Sequence, residues 1–189
     1  LADYRSTLVQ MLESIGISIR YHHHEGGENG QVELEVMPCT LRAMGDASQT
    51  IKYFAKNLAL QMGLTATFMP KPLAGQAGTG MHFHQYLTRN GQPTFYEAGA
   101  EPYDLSNLAV SYIAGVLSHA SALLGITNPS TISYKRLVPG FEAPVRAFFS
   151  LGNRTAAVRV PIYADTPEEK RIEFRPPDAT TNVYLAMSA

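Results

Sequence analysis

The sequence predicts an α+β domain, with a mainly antiparallel sheet and helices packed on one face. Three observations lead there. Segments of period-two alternation come in pairs joined by short Gly- and Asn-containing loops, as in 17–22 and 32–36 around the loop 25–30. Stretches of helical period are inserted between these pairs instead of following single strands one by one, which argues against a doubly wound parallel sheet. The chain has 189 residues, 45% of them hydrophobic and 16% charged, enough for one substantial core and too short to divide comfortably into two.

The elements follow in order. Asp3 can cap a helix in which Leu8, Met11, Leu12 and Ile15 recur at helical spacing, and Gly16 can stop it. Ile17, Ile19 and Tyr21 alternate with Ser18, Arg20 and His22, and Val32, Leu34 and Val36 alternate with Glu33 and Glu35. Asp46 opens a second helix with Ile51, Phe54, Leu58 and Met62 on one stripe and Gly63 at its end. A short strand is expected at 64–69, broken by Pro70 and Pro72, then a Gly-rich loop at 75–80. Alternation at 81–87 precedes an Asn90-Gly91 turn. A third helix is expected over 105–124, a Pro- and Gly-punctuated loop from Asn128 to Pro144, and strands at 147–151, 156–160 and 171–175.

Fifteen Lys and Arg against sixteen Asp and Glu give a net charge of -1, which is not the footprint of a nucleic-acid binder. The most apolar region, 107–126, is broken by Ser111, Ser118, His119 and Ser121, so it reads as a buried helix and not as a membrane span. The lone Cys39 has no internal disulfide partner, and a reducing cytoplasm fits. The start at Leu1, without a Met, and the stop at Ala189, within a run resembling the first turns of a helix, both read as cut ends.

Strand parity gives the strongest physical argument for a site, because residues two apart share a face. His82 and His84 point together, opposite Phe83; Arg171, Glu173 and Arg175 share one face, with Ile172 and Phe174 on the other. Glu33 lies opposite Val32 and Leu34. Glu25 has the parity of Ile19 and Tyr21, and joins Glu33 only if its strand bulges or ends near His24. Several carboxylates with one imidazole are ligands for a hard cation such as magnesium or manganese. Solvated strand residues or ion-pair partners would look the same, and the run His22, His23, His24 reads more simply as loop decoration. The loop 75–80 can cradle an anion with backbone N–H groups, but it has no Walker ending and leads into a strand. Arginines 136, 146, 154, 159, 171 and 175 crowd the last third, and guanidinium groups suit bidentate capture of phosphate and carboxylate.

Taken together, these segments resemble the glutamine synthetase family from about Asp3 to the end. The strings that carry the resemblance are His24-Glu25 with Gly30-Gln-Val-Glu33, Lys71-Pro72 ahead of Gly78-Thr-Gly-Met-His82, Asn128-Pro129, Tyr134-Lys-Arg-Leu-Val-Pro-Gly-Phe-Glu-Ala-Pro144, Asn153-Arg154, and Arg171-Ile-Glu-Phe-Arg-Pro-Pro-Asp178. The resemblance, closest to bacterial type I enzymes, implies a curved antiparallel sheet and a single partial catalytic domain over 1–189. It places an N-terminal β-domain, a Glu-x-Glu strand that completes the metal sites, and a C-terminal remainder outside these residues.

It further implies ATP-dependent ligation of ammonia to glutamate through a γ-glutamyl phosphate. Two Mg2+ or Mn2+ sites would involve Glu25 and Glu33 for one ion, and His82 and Glu173 for the other. Glutamate would lie against Gly78, Arg136 and Arg175, and nucleotide phosphates near His84, Arg154, Arg159 and Arg171. Glu142 would sit on a flap over the ammonium site, with Arg136 and Arg154 assisting catalysis. The full-length protein would be a homo-oligomeric ring with sites between subunits. One departure stands out: Ala77 replaces the Asn usual in the family's Asn-Gly-Ser-Gly-Met-His string. That leaves open a ligase for another amine, and an inactive structural relative is the third reading.

Overall fold

The structure, a computed structural model, describes residues 1–189. Helix α1 (Ala2–Ser14) buries Tyr4, Leu8 and Leu12, a row of residues four apart. Its N-cap is Leu1, and Asp3 lies in the first turn instead of capping it. There its charge still suits the helix dipole. Gly16 adopts φ +88° just past the helix, as a stop residue should.

Strands β1 (Ile19–His24) and β2 (Val32–Val36) form an antiparallel hairpin whose register shifts between Ile19 and Tyr21. Ile19 lies across from Val36, but Tyr21 lies across from Glu35 and His23 from Glu33. This bulge reverses the facing of the odd-numbered residues. Ile19 and Leu34 pack on the apolar side, while Tyr21 and His23 join the glutamates.

Helix α2 (Leu41–Gln61) starts after Thr40, ahead of Asp46, so Asp46 is not its cap; its carboxylate instead accepts a hydrogen bond from the Tyr184 hydroxyl at 2.7 Å. Ala55, Leu58 and Ala59 pack against Tyr4, Leu8 and Leu12, with Ile51 and Phe54 beside them, and Met62 stays exposed. Residues 64–69 are irregular, not a strand; Ala66 and Phe68 still pack on this cluster, but no second strand pairs with the segment.

Beyond the Gly-rich loop come β3 (Phe83–Gln85), shorter than the alternation suggests, and the small hairpin β4 (Thr88–Arg89) and β5 (Gln92–Pro93) around Asn90-Gly91. The expected third helix is two, α3 (Asn107–Ser118) and α4 (Ala120–Thr127), bent by 69° at His119. At the bend the Ser118 hydroxyl donates to the Gly115 carbonyl at 2.9 Å, a side-chain bond that competes with continued helix. No single helix is long and apolar enough to cross a membrane.

The loop expected from Asn128 contains a short helix, α5 (Thr131–Arg136), opened by a Ser130–Ser133 capping box, so Arg136 is a buried helical residue and not a loop residue. Strands β6 (Arg146–Leu151), β7 (Ala156–Val160) and β8 (Ile172–Phe174) and helix α6 (Val183–Ser188) complete the chain.

The main sheet has four strands in the order β3-β8-β7-β6, antiparallel except for the β6–β7 pair, which is parallel. On one face Val158, Val160, Ile172 and Phe174 pack with Phe95, Leu105, Ala109 and Ile113, closing a core beneath α3. On the other, His84, Glu173 and Arg159 form a cross-strand row, as parity requires. Ile172→Ala should therefore lower unfolding free energy by about 2–5 kcal/mol in a urea titration. A loss within about 0.5 kcal/mol would mean that this face is not the core.

Candidate active site

A cleft of about 1600 Å³ opens over the polar face and is lined by Glu25, Glu33, His82, Arg136, Glu142 and Arg175, among others. Beneath its floor, against the lining residues His82 and Arg175, lies Glu173, only 1% exposed. Glu173 Oε1 accepts from Arg175 Nη1 at 2.5 Å and lies 2.8 Å from His82 Nδ1. Glu173 Oε2 lies 2.5 Å from Arg159 Nε, close enough for an ion pair but not aligned as a hydrogen bond, so Oε2 has no oriented partner.

Burial alone would raise the Glu173 pKa, but the His82 contact and the neighbouring positive charge outweigh it and hold the carboxyl well below its usual range. His82 is itself pushed down to about 4, by burial first and then by Arg175 and Arg136 against the pull of Glu173. At neutral pH it is therefore an uncharged imidazole. Its part at Glu173 is a close polar contact, and the guanidinium groups supply the charge.

At the hairpin end the bulge brings Glu25, Glu33 and also His23 together, with their ligating atoms all within 4.8 Å of one another. His23 Nδ1 is 3.5 Å from Glu25 and Nε2 is 3.8 Å from Glu33. Burial, then Glu25, raise the Glu33 pKa to about 7, against an opposing pull from His23. Reading the His run as decoration missed His23. Its i, i+2 spacing from Glu25 was the available signal, usable only together with the bulge.

The residues present fit divalent cations. Two crowded carboxylates with an imidazole form one hard-ligand set. The second is His82 Nδ1 and Glu173 Oε1, 2.8 Å apart; adjacent ligands of an octahedral ion with bonds of about 2.0 Å lie about 2.8 Å apart. The unpartnered Oε2 of Glu173 adds a further acceptor.

The arginines are held differently from one another. Arg136 is 4% exposed; Nη1 donates to the carbonyls of Pro176 (2.7 Å) and Pro177 (3.2 Å), and Nη2 to that of Arg175 (3.1 Å). Burial lowers its pKa to about 10, which leaves it charged at neutral pH. A Cβ on Gly78 would come within 2.6 Å of the Pro70 carbonyl oxygen and 2.7 Å of Arg136 Cγ, so only glycine lets the Gly-rich loop approach this arginine.

Arg175 Nε donates to the Arg154 carbonyl at 3.0 Å and Nη2 to the Glu142 carbonyl at 3.3 Å. The Arg154 and Glu142 side chains are exposed and paired at 2.8 Å. Arg171 donates to His84 Nδ1 (3.2 Å), the Glu169 carbonyl (3.0 Å) and Glu35 Oε1 (3.3 Å). It ties the hairpin to the sheet and borders a smaller cavity of about 260 Å³ with Arg20, Met37 and Tyr86. Glu35, to which sequence parity assigned no role, is thus a structural acceptor.

Fold and site together define the class of protein. The chain belongs to the family described as "Glutamine synthetase, catalytic domain", whose model matches residues 1–189. Among curated relatives, glutamine synthetase of Streptomyces coelicolor is 50% identical over 188 residues, covering 100% of this chain and 40% of that protein. The glutamine synthetase of Microchaete diplosiphon is 49% identical over 188 residues, covering 99% of this chain and 39% of its own length. The cryo-electron microscopy structure of Plasmodium falciparum glutamine synthetase superimposes with a TM-score of 0.92 at 33% identity, covering 98% of this chain and 36% of that one. The chain thus spans about two fifths of the length of the curated relatives it matches.

The Glu33 shift makes a prediction about stability. With the folded pKa raised from 4.5 to about 7, the folded state holds a proton that the unfolded chain has released, so this group's contribution falls as pH rises through that window. His82 works in the opposite direction between about 4 and 6.5. The difference between wild type and Glu33→Gln isolates the term. Denaturation in EDTA should show Glu33→Gln gaining on wild type as pH rises from 4.5 to about 7, and parallel profiles would contradict it.

Proposed function

We propose that this chain is the catalytic core of an ATP-dependent ligase that joins ammonia to the γ-carboxylate of glutamate through γ-glutamyl phosphate. The observation that carries the reading is that Glu25, Glu33 and His82 line one cleft together with Arg136, Arg154 and Arg175, with the buried Glu173 directly behind His82 at 2.8 Å. Glutamate is proposed to lie beside Gly78, where Arg175 and the cationic Arg136 supply positive charge to its carboxylates. Arg136, whose terminal nitrogens are already held by carbonyls, acts there by field and by bracing the 175–177 turn more than as a free fork. The nucleotide is proposed to lie along His84, Arg154, Arg159 and Arg171, with Arg171 fixing His84 through its Nδ1.

The proposed chemistry needs charge neutralisation and one proton transfer. Mg2+ or Mn2+, one held by Glu25 and Glu33 and one by His82 and Glu173, would offset the charge of the phosphates as the γ-phosphoryl group moves to glutamate. Arg154 and Arg159 stabilise the same developing charge. Glu142, exposed at the cleft mouth and paired with Arg154, is the carboxylate that takes a proton from ammonium once the pair opens. Ammonia then attacks the acyl carbon and phosphate leaves. In the full-length protein we place this site in a homo-oligomeric ring, where neighbouring subunits complete it, and in the cytoplasm; no contact with nucleic acid or membrane enters the proposal.

The test is glutamine formation by the full-length protein supplied with ATP, glutamate, ammonium and Mg2+ or Mn2+, with other amines run in parallel because Ala77 supplies no side-chain amide at the cleft. Glu142→Gln should lower kcat by about 10²–10⁴-fold. The isolated 189-residue chain should show no turnover in a phosphate-release assay. A full-length protein that forms no γ-glutamyl amide from any amine would overturn the proposal.

A further inference from the structure

Three loops meet at the cleft mouth, and one lysine joins two of them. The hairpin loop and the Gly-rich loop are linked by Gln31, which donates to the Gly78 carbonyl at 2.8 Å, and by Gln76, which donates to Glu28 Oε2 at 2.9 Å while accepting from the Glu28 amide at 3.3 Å. The Gly-rich loop is closed at its base by Thr79 N–H to the Pro70 carbonyl at 2.8 Å.

Lys71 stands just inside this closure. Its ammonium donates to the Gln76 carbonyl and also lies 3.8 Å from the centroid of the Phe141 ring. Phe141 immediately precedes Glu142. The two residues flanking Phe141, Gly140 and Glu142, have φ of +92° and +55°, a backbone that an unanchored loop would relax.

The far side of the same segment is held by Arg175, which donates to the Glu142 carbonyl at 3.3 Å. Without the near-side contact the segment is anchored only through Glu142, by Arg175 at its carbonyl and by the exposed Arg154 at its side chain. A carbonyl and a ring face, neither of them charged, leave the ammonium its full field for the ring, the arrangement in which a cation–π contact counts most.

We propose that Lys71 is a positioning residue that clamps the Phe141 ring, and thereby holds Glu142 over the site of ammonium attack. This deepens the ligase reading and rests on it. The clamp connects occupancy of the Gly-rich loop with the placement of Glu142: a ligand that orders one loop lowers the cost of ordering the other. Its chemical role is partition of the acyl phosphate. With Glu142 in place, ammonia attacks the acyl carbon and phosphate leaves with the bond-forming amine retained. With the loop loose, water attacks the same carbon, phosphate leaves, and glutamate is regenerated with net hydrolysis of ATP.

The experiment uses the full-length protein with Lys71→Met, Lys71→Arg, Phe141→Leu, Phe141→Tyr and the double variant Lys71→Met with Phe141→Leu. Amide hydrogen exchange over 137–145 without substrates reads the clamp. The ratio of phosphate released to glutamine formed, and KM for ammonium against kcat, read its consequence. Lys71→Met and Phe141→Leu should each speed exchange over 137–145 on the order of fivefold and raise both the ratio and KM for ammonium. Lys71→Arg and Phe141→Tyr, which keep the cation and the ring, should stay near wild type, and the double variant should be no worse than either single one. Unchanged exchange in both Lys71→Met and Phe141→Leu, or strictly additive effects in the double variant, would overturn the clamp. If wild type forms no γ-glutamyl amide at all, the role in partition falls with the ligase reading, while hydrogen exchange still decides the contact itself.

Discussion

The buried carboxylate of Glu173 is the constraint on which the rest of the polar face depends. At 1% exposure it has lost nearly all hydration, and an ionised group there persists only if it is paired. Arg159 in β7, Arg175 just past β8 and His82 just before β3 supply the pairing, so ionisation of one side chain fixes three others. Those in turn fix their neighbours: Arg175 holds the Arg154 and Glu142 carbonyls, and Arg136, beside His82, holds the 175–177 turn. The apolar side of the same strands supplies the rigidity, because Ile172 and Phe174 are locked in the core. A one-residue slip of β8 would put Glu173 into that core, so register and charge placement are enforced together.

The hairpin solves a different problem. Burial and the neighbouring Glu25 together raise the Glu33 pKa, and His23, which faces both carboxylates, offsets this only in part. Such crowding of like charges is a standing cost unless a cation relieves it, which is why these residues read as a binding site and not as fold-stabilising groups. The bulge between Ile19 and Tyr21 allows the hairpin to bury Ile19 on one side and present His23 and Glu25 on the other.

Much of this was legible in the sequence. Period-two parity correctly paired Arg171, Glu173 and Arg175 against Ile172 and Phe174, because a strand's facing follows from its covalent geometry alone. For Glu25 it left the facing conditional on a bulge or a strand end near His24, because a bulge is set by pairing with another strand and leaves no local mark in residues 19–21. Helix starts were misplaced where an acidic residue resembled a cap: Asp46 is taken by Tyr184, a partner 138 positions away. The strand expected at 64–69 failed for the converse reason, an extended apolar segment that finds a cluster to pack on but no strand to pair with. The short helix carrying Arg136 was hidden by its length and its Pro- and Gly-rich surroundings, although Ser130 and Ser133 gave a capping signal. Arg136, Arg171 and Glu35 show the limit of reading charge from sequence, since their partners are backbone carbonyls or distant side chains that spacing does not reveal.

Anomalous diffraction from crystals of the full-length protein soaked in Mn2+ tests the central claim most directly. The account requires one peak bound by Glu25 and Glu33 and a second bound by His82 and Glu173, the second lost in Glu173→Gln while the first remains. Manganese peaks that avoid these four side chains, or a Glu173→Gln protein that keeps both, would contradict it.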